Sequence, residues 1–139
     1  MRTILALACL CAVAVADDAK ELKTLNGTWK VEKAEIDGAD QTDAFKVAVM
    51  VLDNGTYDVS FGDMKDKGTL SVDATKTPKT MDVKGTDGTN KGKSYPCIYE
   101  LKDDKLTICY GLDEKTRPAK FESAKESNTM LVVYKREKK

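Results

Sequence analysis

The chain has 139 residues, with 23 basic and 23 acidic side chains, no histidine and an aromatic content of 6%. Balanced charge without a long basic run excludes the many-phosphate contacts on which nucleic-acid binding rests. The lack of histidine removes the commonest general base and metal ligand and leaves any Ser or Cys nucleophile without its usual partner, so no catalytic residue, metal or cofactor is expected.

Met1-Arg2, the apolar run Thr3 to Val13 and the small-x-small pattern Ala14-Val15-Ala16 together read as a secretion signal cleaved after Ala16. A stable membrane helix needs about 20 apolar residues, so this run is expected to be removed rather than to anchor the chain. Cys9 and Cys11 would leave with it. The expectation is a secreted or periplasmic protein, monomeric, with residues 17–139 forming a single domain.

From Asp17 to Leu25 the spacing of Ala19, Leu22 and Leu25 predicts a short helical turn. The period then changes to two. Leu25-Asn26-Gly27-Thr28-Trp29-Lys30-Val31 carries the only tryptophan and opens the first strand; the apolar parity passes from Trp29 and Val31 to Ala34 and Ile36, which predicts a bulge near Glu32-Lys33. After a polar connector, Phe45 to Leu52 reads as the most apolar strand, with Val47, Val49 and Val51 taken as its inward set. Asn54-Gly55 predicts a tight hairpin into the alternating strand Tyr57, Val59, Phe61.

Gly62 to Lys67 reads as a turn before Leu70 and Val72, and a loop containing Pro78 precedes Met81 and Val83. Gly85 to Gly92 has no apolar residue and reads as a surface loop. With Asp103-Asp104 as turn residues, Leu101 faces Leu106, Tyr99 faces Ile108 and Cys97 faces Tyr110, so each apolar residue meets another. A loop from Gly111 to Pro118 and a polar connector lead to the last strand, Met130 to Arg136, which is expected to return against the first. Eight or nine short strands with hairpin-length joints predict an all-β antiparallel up-and-down barrel of about eight strands.

Asn26-Gly27-Thr28-Trp29 resembles the Gly-x-Trp opening of lipocalins and related calycin barrels. That resemblance implies an arginine near the barrel's end packing across the indole, and Arg136 is the residue placed to do so. Together with Pro78-Lys79-Thr80-Met81-Asp82, Ile98-Tyr99-Glu100-Leu101, Leu106-Thr107-Ile108-Cys109-Tyr110, Arg117-Pro118 and Tyr134-Lys135-Arg136-Glu137, the opening resembles an uncharacterised planctomycete lipocalin-like domain family. The resemblance implies a fold and an exported location and carries no catalytic residues.

Other candidate chemistry has plainer explanations. Asp103-Asp104 and Asp113-Glu114 read as solvated turn carboxylates, and Asp53-Asn54-Gly55 and Asp87-Gly88-Thr89-Asn90 lack the ligand spacing of a calcium loop. In the register above Cys97 points inward and Cys109 outward, so the two are expected to be unbridged thiols. Tyr57, Phe61, Met81, Tyr99 and Ile108 are the candidate cavity-lining residues. An eight-stranded barrel either fills its interior or holds one small ligand, and short strands with few aromatics lead us to expect a filled or nearly filled one. Two roles follow: a module binding a small hydrophobic molecule at one open end, or a filled barrel that docks a cell-envelope protein through the 85–93 and 111–117 loops.

Overall fold

Turn signals every few residues break the chain into short alternating segments, and over residues 18–138, which the computed structural model describes, these become nine antiparallel strands. They are β1 (Gly27–Ile36), β2 (Ala39–Asp40), β3 (Ala48–Asp53), β4 (Thr56–Phe61), β5 (Met64–Asp73), β6 (Lys79–Gly88), β7 (Ser94–Lys102), β8 (Lys105–Gly111) and β9 (Thr129–Arg136). Residues 18–24 form α1 and Thr42–Phe45 form α2. Each strand pairs with its sequence neighbour, apart from two-residue β2, which is a tongue on β1; β9 pairs back on β1. The result is a closed eight-stranded up-and-down barrel. Closure removes the free edges through which an open sheet recruits other chains. The predicted secretion signal lies outside the described residues.

The closure point is Trp29 opposite Arg136. The Arg136 guanidinium carbon stands 4.4 Å from the centroid of the Trp29 ring, a stacking contribution of about 0.5 to 2 kcal/mol depending on desolvation. Its nitrogens donate to the Asn26 carbonyl, to the Thr24 carbonyl at 3.1 Å and to Asp104 Oδ1 at 3.1 Å. One side chain therefore ties the end of α1, the start of β1, the β7–β8 turn and β9 together. Trp29 is fully buried, with its Nε1 donating to the Leu25 carbonyl at 2.9 Å. The β1–β9 register shifts between Val31 and Lys33, at the predicted bulge, and the parity change brings Ala34 into the core.

In β3 the expected face is reversed. Asn54 and Gly55 take φ of 49° and 91°, as a two-residue primed turn requires, and this turn sets Leu52 opposite Tyr57, Met50 opposite Val59 and Ala48 opposite Phe61. Directly opposed residues share a face, so Ala48, Met50 and Leu52 are the inward set. Val47 is 60% exposed and Val51 42%. Nor does the strand begin at Phe45, which lies in α2. That short helix occupies the place where β1 leaves β3: the two strands pair only over Gly27–Lys30. Farther along, Ala34 accepts from Gln41 N at 2.8 Å and donates to Thr42 Oγ1 at 3.1 Å, which satisfies the freed edge.

Strands β5 and β6 are longer than the sequence pattern indicates. Only Gly62 and Asp63 separate β4 from β5, and β6 runs on through Gly88 into the expected loop. The two strands approach closely because Gly68 has no side chain; a Cβ there would lie 2.0 Å from the Lys84 carbonyl oxygen. The β7–β8 ladder has the predicted register, Cys97 with Tyr110, Tyr99 with Ile108 and Leu101 with Leu106.

Cys97 belongs to the barrel core, whereas Cys109 lies on the outer face beneath residues 112–128, its thiol donating to the Glu122 carbonyl at 3.4 Å. That outer strap is pinned by Arg117, which donates to the Met81 and Cys97 carbonyls at 3.0 and 2.7 Å and to Asp82 Oδ1 at 2.7 Å. Cys97 and Cys109 are free and buried, and burial pushes both thiols up in pKa.

Two outcomes follow. Trp29→Ala is expected to lower unfolding stability by about 3 to 5 kcal/mol in urea titrations; a loss below about 1 kcal/mol would place the indole outside the cooperative core. Alkylation without reductant is expected to leave Cys97 and Cys109 unmodified in the folded protein and to label both after unfolding. A mass two hydrogens short, with no labelling in denaturant, would mean a disulfide.

Candidate functional site

The barrel interior divides into two halves. At the end under α1, Leu25, Trp29, Met81, Tyr99 and Leu106 are all essentially inaccessible and pack the interior solid. α1 lies across this end, and its Glu21 accepts from Tyr99 Oη at 3.0 Å and from Lys79 Nζ at 2.9 Å. The predicted helix therefore faces the barrel through Glu21 and Leu22, while Ala19 is exposed. Burial, with the Glu21 charge next, raises the Tyr99 phenol well above its ordinary range.

Toward the opposite end the inward side chains no longer meet across the axis. They leave a cavity of about 430 Å³, walled by residues of β1, β3 to β9 and α2, within the range of about 300 to 1,000 Å³ typical of small-molecule sites. The expected filled interior is thus corrected. Its walls are mostly aliphatic, with Val31, Met50, Val59, Val83 and Val132 among them. Phe45 of α2 meets Phe61 edge to face at 5.5 Å between ring centroids, and Met64, 54% exposed, marks the solvent side of the wall.

The polar groups of the wall form two clusters. Tyr110 and Tyr134 place their hydroxyls 2.6 Å apart, and burial pushes the Tyr134 phenol up to about 12 and Tyr110 well above its ordinary value. A pair of hydroxyls sharing one hydrogen bond keeps one proton free to donate. The second cluster joins Tyr57, Asp66, Asn90 and Tyr95. Asn90 donates from Nδ2 to Asp66 Oδ2 at 2.7 Å and from its backbone N–H to Asp66 Oδ1 at 3.3 Å, while its Oδ1 accepts from Tyr95 Oη at 2.9 Å.

Tyr57 is 6% exposed, and its hydroxyl meets no partner in hydrogen-bond geometry among the described residues. Burial, then the negative charge of the Asp66 carboxylate, which the hydroxyl approaches without aligned hydrogen-bond geometry, holds its phenol far above the usual range. A buried polar atom of this kind costs about 1 to 3 kcal/mol.

Of the five residues expected to line a cavity, Tyr57, Phe61 and Ile108 do so. Met81 and Tyr99 lie in the filled half; Tyr99 faces α1 through Glu21, and Met81 is buried among the core side chains. Sequence reasoning missed Asp66, Asn90, Tyr95, Tyr110 and Tyr134. The alternation of Leu70 and Val72 continued back through Gly68 would have put Asp66 on the inner face. Among the described residues, no group of three or more His, Cys, Asp or Glu could hold a metal ion, and no helix is long and apolar enough to cross a membrane.

A sequence profile described as a lipocalin-like domain matches residues 25–133, from the residue that caps Trp29 into β9. The chain belongs to the lipocalin-like domain family. No curated protein and no solved structure matches it. The lipocalin-like barrel is the architecture of a binding module, and here the profile covers every residue that lines the cavity except Tyr134.

Replacing Tyr57 by Phe removes the orphan hydroxyl and keeps the ring. Tyr57→Phe is expected to stabilise the ligand-free protein by about 1 kcal/mol in urea titrations. A loss of that size would show that the hydroxyl has a bonding partner in solution.

Proposed function

We propose that this lipocalin-like protein is an exported, non-enzymatic binder of a small, predominantly apolar molecule, taken into the half of the barrel opposite α1. The observation that carries the reading is the cavity of about 430 Å³ with largely aliphatic walls. A barrel evolved only as a scaffold closes such a space, because each lining atom forfeits packing contacts across it. The same observation weighs against docking of an envelope protein by a filled barrel, whose premise was a packed interior. Export rests on the pattern of residues 1–16. The absence of histidine from the whole chain supports a role without catalysis.

The test is a thermal-shift screen of the purified protein against fatty acids, retinoids and haem, repeated with Val59→Phe, which fills part of the cavity. A ligand present at 100 times its dissociation constant stabilises the native state by about 2.7 kcal/mol. At least one apolar class is expected to raise the melting temperature of the wild type and to act less on Val59→Phe. No shift across the panel would remove the ligand-binding reading.

A further inference from the structure

The geometry points to an apolar alcohol as the cavity's ligand class: a hydrocarbon body among the aliphatic walls, with its single hydroxyl at the neighbouring Tyr57 Oη and Asp66 carboxylate. This inference rests on the ligand-binding reading above and adds the chemistry of the ligand's polar end.

Three observations carry it. First, Tyr57 lines the cavity, is buried, and has no hydrogen-bond partner among the described residues. An orphaned buried hydroxyl is a standing cost, and an external partner at the cavity wall would relieve it. Second, Asp66 also lines the cavity, and its neighbour Asn90 grips it: Nδ2 and the backbone N–H donate to the carboxylate while Oδ1 accepts from Tyr95. The carboxylate is thereby held in one orientation. Two of its roughly four lone-pair positions are used, and the others remain to accept from a ligand. A hydroxyl is the smallest head that accepts from Tyr57 and donates to Asp66 through one oxygen.

Third, Asp66 is the one charged residue among those that line the cavity; its chain neighbours Lys65 and Lys67 are exposed and are not among the lining residues. A carboxylate-headed ligand would bring a second negative charge into apolar surroundings without a counter-ion, an arrangement that binding sites avoid. The walls therefore select for a body that is apolar and against an acidic end.

Calorimetric titration with decanol, decanoate and decyl methyl ether separates the possibilities, since the three share a chain and differ at the head. Decanol is expected to bind at least about tenfold more tightly than decanoate, and several-fold more tightly than the ether, which accepts but does not donate. Tyr57→Phe is expected to weaken decanol about 3- to 10-fold while leaving the melting temperature of the free protein unchanged or raised. Asp66→Asn is expected to narrow the gap between decanol and decanoate. Equal binding of all three probes, or decanol binding unaffected by Tyr57→Phe, would overturn the alcohol assignment and leave an unspecific apolar site standing. Failure of all three to bind would overturn the ligand-binding reading itself, and this inference with it.

Discussion

Closure of the sheet depends on a stacked pair from opposite ends of the domain, the Trp29 indole beneath the Arg136 guanidinium. A strand pairing over so long a sequence separation is slow to form and entropically costly, because nearly the whole domain is the loop that it closes. Arg136 offsets this through several contacts at once, reaching two carbonyls at the end of α1 and the carboxylate of Asp104 while covering the ring. The bulge between Val31 and Lys33 belongs to the same device. It lets β1 present Trp29 to one end of the interior and Ala34 to the other while remaining paired to β9.

From this fixed end the interior changes character along the axis. Large side chains fill the space under α1, and the charge of Glu21 is satisfied there by Tyr99 and Lys79. On the far side, β1 has turned away from β3, α2 takes up the freed edge, and the inward residues line an open space instead of a packed one. Close packing and open space are thus assigned to different halves of one barrel. The filled half is close-packed, and the open half retains an unsatisfied polar atom that a packed core would otherwise eliminate.

Much of this was legible in the sequence, for identifiable reasons. The β7–β8 register followed from turn arithmetic at Asp103-Asp104, and the bulge from the parity slip after Val31. The error in β3 is instructive because the same arithmetic was available: with Asn54-Gly55 as the turn, Leu52 stands opposite Tyr57 and must share its inward face. A run of valines at alternate positions looked like a buried face, yet those side chains line the outside. Local hydrophobicity was outweighed by register. Asp66 escaped notice for the opposite reason, being a polar residue at an inward position, which alternation patterns treat as a turn. The size of the cavity was not legible, since it depends on how far side chains from eight strands reach across the axis.

The strap from 112 to 128 gives the wall an uneven thickness. Behind β7 and β8, Ile98 and Cys109 are buried on the outside as thoroughly as Tyr99 and Ile108 are within, so the ladder there is dry on both sides. Along β3 and β4 the outward side chains meet solvent directly, Val51 among them, as does Val47 just before β3. Local opening is easiest where backbone bonds are backed by one layer rather than two. The flank formed by β3, β4 and α2 is therefore the thin side of the barrel, set against a doubly covered spine at β7 and β8.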